Sequence, residues 1–132
     1  MKKAVLLNSG ITSVISEMGH TDTLTIGDCG LPIRGEAKRL DLALKFGVPG
    51  FIETLETVLT ELNVGKAILA QEIKTFSPEM EARILACLGN RVEIEYVTHE
   101  ELKKQSEHSK AVIRTGESTS YANVILVSGV TF

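Results

Sequence analysis

Residues 66–73 read KAILAQEI, and this short stretch indicates the fold class. Its first half is continuously apolar, which is typical of a strand buried on both faces of a sheet. Residues 77–79, Ser-Pro-Glu, follow with the signature of a helix start: an N-cap, a proline at the first helical position and an acid in the first turn. The alternation of Val92, Ile94 and Tyr96 then predicts another strand. This order of strand, helix and strand predicts an α/β fold with a largely parallel sheet.

The same alternation of elements extends to both ends of the chain. Apolar spacing predicts a strand over 4–7, a helix over 11–18 with Ser9 as its N-cap, a strand over 23–26 and a helix over 52–62, whereas 40–46 fits either type. Thr98 and Glu101 have the spacing of a capping box, in which each residue bonds the other's backbone N–H. Final strands are predicted over 110–114 and 121–127. We therefore expect one domain that spans residues 1–132.

The composition limits the classes of molecule that this protein can bind. The 14 basic and 17 acidic residues give a net charge of −3 without a basic block, which argues against a nucleic-acid surface. The apolar run 124–127 is too short to cross a bilayer, and no signal peptide is visible. The cysteines Cys29 and Cys87 suggest no disulfide framework, so a cytoplasmic location is expected. A hydrophobic content of 43% is high for a small chain and favours a homo-oligomer that covers part of the surface.

Two of the three histidines stand where helix ends bias their charge. His20 follows Gly19 at the carboxyl end of the first predicted helix, where partial negative charge favours a protonated ring. His99 lies in the first turn of a later helix with Lys103 four positions on, and both features favour a neutral ring. Opposite biases are expected of an acid and an acceptor. An ordinary structural role for each histidine is the competing interpretation.

Spacing limits how the candidate residues can cooperate. His20 and Asp28 are 28 − 20 = 8 positions apart, which on a straight strand separates them by roughly 26 Å. They can serve one small ligand only if the chain turns near Gly27 or if different copies of an oligomer meet. Tyr121 and Asn123 share one face of a predicted strand, an arrangement suited to neighbouring hydroxyls of a polyol. With no phosphate loop and no metal-ligand spacing, an acid–base site without metal or cofactor is expected.

Six short motifs together carry a resemblance to a known family. They are LNSG at 7–10, GHTD at 19–22, GDCGLPI at 27–33, TH at 98–99, RTGE at 114–117 and YAN at 121–123. Along essentially its whole length the chain resembles the D-ribose pyranase and fucose mutarotase family of sugar-ring isomerases. The resemblance implies a three-layer α/β/α subunit with a mostly parallel or mixed sheet. It also implies a ring-based homodecamer that binds D-ribose in the cytoplasm, with each site completed by a neighbouring subunit.

The resemblance also assigns roles to individual residues. It implies that His20 is the catalytic acid of ring opening. The residues it places around the sugar are Asp28, His99, Tyr121, Ala122 and Asn123. Lys103 is a further, secondary candidate for holding a sugar hydroxyl. The base stays open between water, a carboxylate and His99. Two other functions remain as alternatives: a mutarotase acting on fucose or another monosaccharide, and a non-catalytic sugar-binding subunit of ribose uptake.

Overall fold

The computed structural model describes residues 1–132 and centres on one six-stranded sheet. The strands are β1 (Thr23–Gly27), β2 (Lys38–Asp41), β3 (Val64–Ala70), β4 (Glu93–Val97), β5 (Ala111–Arg114) and β6 (Val124–Ser128). The helices are α1 (Ser9–Glu17), α2 (Phe51–Leu59), α3 (Ile73–Phe76), α4 (Pro78–Leu88) and α5 (His99–Ser106). No helix is both long and apolar enough to cross a membrane.

The sheet is mixed, in the order β2-β5-β1-β6-β3-β4. β2 and β5, β5 and β1, and β3 and β4 pair in parallel. The last strand, β6, lies between the two parallel groups and runs antiparallel to both of its neighbours. The predicted strand–helix–strand unit around residues 66–97 is confirmed as β3, α4 and β4. Because β6 runs the other way, its amino end lies at the same edge as the carboxyl ends of the other strands.

Two apolar clusters cover the two faces of the sheet. On one face α1, α2 and α4 pack against the strands, with Phe51, Leu55 and Ile84 among the fully buried side chains. On the other face Leu102 of α5 packs with Ile68 of β3 and with apolar residues of β5 and β6. Alternate residues of each strand serve opposite faces, as the pleat requires. The expected three-layer α/β/α arrangement is therefore confirmed.

Several local predictions differ from the structure. Residues 4–7 form no strand, because only Leu6 turns into the core while Val5 and Leu7 stay exposed. The N-cap of α1 is Asn8 rather than Ser9, since the Asn8 side chain accepts a hydrogen bond from the backbone N–H of Ile11. Residues 40–46 divide between the end of β2 and a loop.

Two further predictions are only half right. The strand predicted from residue 121 begins at Val124, because Tyr121 has a φ of 62° that no strand accommodates. In the predicted capping box, the Thr98 hydroxyl accepts from the N–H of Glu101 as expected. The Glu101 carboxylate instead accepts from the side chain of Gln105.

Candidate functional site

Four polar side chains meet at one edge of the sheet, and we name them the Asp28 cluster: Asp28, His99, Tyr121 and Asn123. Asp28 directly follows β1, and His99 begins α5 after the end of β4. Tyr121 and Asn123 precede the antiparallel β6, so they reach the same edge from the opposite direction. Ligand sites of α/β sheets lie at this edge, beyond the carboxyl ends of the strands.

Asp28 and Asn123 hold each other by a reciprocal pair of hydrogen bonds. The backbone N–H of Asp28 donates to Asn123 Oδ1 at 2.9 Å, and Asn123 Nδ2 donates to Asp28 Oδ2 at 2.9 Å. The backbone N–H of Gly30 donates to the other carboxylate oxygen at 2.9 Å. A Cβ at Gly27 would lie 2.6 Å from a terminal methyl and 3.0 Å from the Cβ of Leu31, so any other residue before Asp28 would have to displace Leu31. The orientation of the Asp28 carboxylate is therefore fixed by the fold.

Tyr121 and His99 form the aromatic side of the cluster. Their ring centroids are 5.1 Å apart and the ring planes meet at 86°. Phe76 of α3 lies against Tyr121 at 5.4 Å. His99 Nδ1 is buried and has no hydrogen-bond partner, which is uncommon for a polar atom in a folded protein. The left-handed backbone of Tyr121 is a second uncommon feature at this edge.

The other expected binding residues have different settings. Ala122 is fully buried and lies inside the turn that the Asn123 N–H closes onto the carbonyl of Tyr121. Ala122 therefore supports the Asp28 cluster through its backbone. Lys103 on α5 forms an ion pair with Glu100 at 2.5 Å, and this ammonium holds the pKa of the Glu100 carboxyl below its usual range. The described contacts of Lys103 therefore lie on its own helix.

Sequence reasoning missed two carboxylates that support the cluster. Glu117 Oε1 accepts from the N–H of Phe51 at the start of α2, and its backbone carbonyl accepts from the N–H of Cys29 at 2.8 Å. Burial acts to raise the pKa of the Glu117 carboxyl, but hydrogen bonds from Phe51 and Thr119 outweigh it and the pKa is lowered. Glu72 accepts from the N–H of His99 at 2.7 Å. Glu117 stands in the RTGE motif of the resemblance. The contacts of Glu72 and Glu117 join residues far apart in sequence, so no local pattern reveals their partners.

His20 lies at the other edge of the sheet. It precedes β1 whereas Asp28 follows it, so the five-residue strand separates the two side chains. His20 is exposed and lines a groove with Met18, Ser128 and Phe132. A single chain therefore does not bring His20 to the Asp28 cluster, in agreement with the spacing argument.

The donor set favours hydroxyl binding over metal binding. Nowhere do three or more histidine, cysteine, aspartate or glutamate side chains gather in a way that could hold a metal ion. Cys29 and Cys87 are free and half-buried. The Asp28 cluster instead combines one carboxylate, one carboxamide, one phenol and one imidazole, which together accept and donate several hydrogen bonds. Such a set suits a small polyhydroxylated molecule.

Comparison with known proteins agrees with this chemistry. The model of the RbsD / FucU transport protein family matches residues 1–131. A protein named D-ribose pyranase from Clostridium perfringens (strain SM101 / Type A) is 56% identical over 132 residues, covering 100% of both chains. Another of that name from Klebsiella pneumoniae (strain 342) is 49% identical over 139 residues, again covering both chains completely. The solved structure of Bacillus subtilis RbsD complexed with D-ribose is 45% identical, covers 100% of each chain and superposes with a TM-score of 0.94.

Proposed function

The chain belongs to the RbsD / FucU transport protein family, and from this membership we propose that it interconverts the pyranose and furanose forms of D-ribose. The observation that carries the proposal is the 56% identity, over the full length of both chains, to a protein named D-ribose pyranase. The 45% identical RbsD, whose structure was solved in complex with D-ribose, supports the same substrate. In this role the protein is an isomerase that works by proton transfer alone.

Ring opening and ring closure each need two proton transfers, and neither involves a redox step. The anomeric hydroxyl loses its proton as the bond between the anomeric carbon and the ring oxygen breaks, and the ring oxygen gains a proton. This gives the open aldehyde and a free hydroxyl on C5. The C4 hydroxyl then attacks the aldehyde carbon and releases its proton, while the carbonyl oxygen becomes the new anomeric hydroxyl. One well-placed acid or base contributes about 10²–10⁴-fold to such a step.

The polar groups of the chain divide between these tasks. The Asp28 carboxylate suits a sugar hydroxyl. The Asn123 carboxamide is fully buried and bonds Asp28 through both of its polar atoms, so it holds that carboxylate in place. The rings of His99 and Tyr121 meet edge to face and are proposed to hold further hydroxyls. His20 is the proposed acid that protonates the ring oxygen. Water, a carboxylate and His99 remain the candidates for the base.

This division of tasks requires two copies of the chain. His20 lies at one end of β1 and Asp28 at the other, so the acid of each site comes from a neighbouring copy. Exposed apolar side chains lie near both ends of β1. Leu44 and Phe46, about four-fifths exposed, lie in the loop 42–49 beside Cys29. Val130 and Phe132 are exposed beside His20. Contact between these two different surfaces would cover both apolar patches and join His20 to Asp28.

A contact between two different surfaces of the same chain is heterologous, and repeating it closes a ring when the rotation allows. The proposed assembly is therefore ring-based, and the family resemblance extends it to a homodecamer. Free half-buried thiols at Cys29 and Cys87 favour a reducing compartment, which supports a cytoplasmic location. There the enzyme would supply the furanose form to a kinase that takes it.

The proposal is tested by saturation-transfer NMR of D-ribose, which measures exchange between ring forms directly. Wild-type protein should accelerate pyranose–furanose exchange, and His20→Ala should lose about 100-fold or more of that acceleration. His108→Ala is the matched control, because His108 is exposed and lies outside both the Asp28 cluster and the His20 groove. A His20→Ala protein with full exchange activity would overturn the assignment. Faster exchange with L-fucose than with D-ribose would favour the mutarotase alternative. Binding of D-ribose without any exchange would favour the non-catalytic sugar-binding subunit.

A further inference from the structure

Glu72 lies between β3 and α3 and has no role in the proposed reaction. It follows the carboxyl end of β3 and is the N-cap of the short helix α3, yet its side chain does not cap that helix. Its Oε2 instead accepts a hydrogen bond from the backbone N–H of His99, 27 positions along the chain, at 2.7 Å. A carboxylate thus sits at the first residue of α5, where the partial positive charge of the helix stabilises it.

No other group serves this N–H. The Thr98 hydroxyl, which is the cap of α5, accepts from the N–H of Glu101 at 3.1 Å. The first N–H groups of a helix lack partners within the helix, and hydrogen bonds to a charged acceptor are about twice as strong as neutral ones. The bond from Glu72 therefore fixes the first residue of α5, which is the residue that carries the His99 ring.

The segment that contains Glu72 also touches the other wall of the Asp28 cluster. Phe76 at the end of α3 packs on Tyr121, with ring centroids 5.4 Å apart. The Ser77 hydroxyl donates to the backbone carbonyl of Ser120, the residue before Tyr121, at 2.7 Å. One short segment, 72–77, therefore holds His99 at one end and Tyr121 at the other. It sets the separation of the two rings, which stand 5.1 Å apart.

The distance between the two rings matters because of the setting of His99 Nδ1. The atom is buried without a partner beside the Tyr121 ring, and a small displacement of α5 would change where both its nitrogens point. Resting on the proposed function, we propose that Glu72 is a positioning residue for sugar binding, which holds His99 in register with Tyr121 through the hydrogen bond to the His99 backbone. Glu72 acts through His99 and takes no proton in the reaction.

Three variants test this role with two readouts, D-ribose affinity by titration calorimetry and exchange rate against ribose concentration by NMR. Glu72→Ala should raise Kd and KM about tenfold, while kcat at saturating ribose stays within about threefold. Glu72→Gln keeps an acceptor for the His99 N–H and should restore KM to within about threefold of wild type. Glu79→Ala removes an exposed carboxylate from the first turn of the neighbouring helix α4 and should match wild type.

The outcomes separate this inference from the proposed function. Three results would overturn the positioning role. In two of them Glu72→Ala keeps the wild-type KM or lowers kcat alone. In the third Glu72→Gln binds D-ribose as weakly as Glu72→Ala does. A protein that merely loses stability would lose active molecules, which lowers the apparent rate without raising KM. Wild-type protein that binds ribose without exchange would overturn the proposed function, and the Kd values would still decide the role of Glu72. Wild-type protein that does not bind ribose would overturn both.

Discussion

At the scale of single residues, hydrogen bonds hold two carboxylates in place at the Asp28 end of the sheet. Asp28 is held by Asn123 and Gly30, and Glu117 is held by Phe51 and Thr119. Despite its burial, the hydrogen bonds to the Glu117 carboxylate favour its ionised form and lower its pKa. The contact of Glu117 with the start of α2 therefore depends on charge, and acid should weaken it.

Glu117 makes this dependence measurable. Its pKa is lower in the folded protein than its ordinary value of 4.5, so its ionised form stabilises the fold above about pH 4.5, and that contribution is lost as pH falls through the lowered pKa. Glu117→Gln removes this titration. Between about pH 6 and pH 3 the variant should lose less free energy of unfolding than wild type does, as measured by urea titration at each pH. Equal losses in the two proteins would show that Glu117 does not contribute.

At the scale of elements, the loop 42–49 and the segment that carries Glu117 form one interlocked unit. The N–H of Gly47 donates to the carbonyl of Gly116, and the N–H of Gly116 donates to the carbonyl of Pro49. The backbones approach so closely that a Cβ at Gly116 would lie 2.4 Å from the carbonyl oxygen of Val48. The exposed apolar side chains of the loop are thereby fixed next to the Asp28 end of the sheet.

Gly116→Ala should therefore displace the loop. We expect it to cost about 1–3 kcal/mol of unfolding free energy, as overpacking in a tight contact does. Gly19→Ala is the control, because its Cβ would meet nothing closer than 3.8 Å, and it should change stability by less than about 0.5 kcal/mol. Urea unfolding of both variants measures the difference. Similar stabilities for the two would contradict the interlock.

The elements also show what sequence alone can predict. The continuous apolar run in β3 and the helix start at Ser77 specify the central strand–helix–strand unit, because periodicity and capping are local properties. The direction of β6 is not local, since it depends on which strands it joins. Tyr121 and Asn123 were predicted to share one face of a strand, but that strand begins only at Val124, because a left-handed backbone leaves no mark in the hydrophobic pattern. Glu72 and Glu117 act through distant backbone N–H groups, which only the folded chain reveals.

At the scale of the whole molecule, the two proposed halves of the site lie at opposite edges of one sheet. The exposed apolar groups near Phe46 and near Phe132 lie beside these two halves. Large exposed apolar side chains on a small domain mark surfaces that a partner covers. An assembly of identical chains, each contributing His20 to its neighbour, accounts for both the separation and the exposure.

Subunit complementation shows whether two copies of the chain share each site. His20→Ala and Asp28→Asn copies are co-expressed, and ribose ring exchange is measured on the mixed assembly and on each variant alone. If each site takes His20 from one copy and Asp28 from the next, random mixing should restore about one quarter of the wild-type sites, although each variant alone is inactive. Co-expressed His20→Ala and His20→Asn copies are the control and should stay inactive. A mixed assembly no more active than its parents would contradict the shared site.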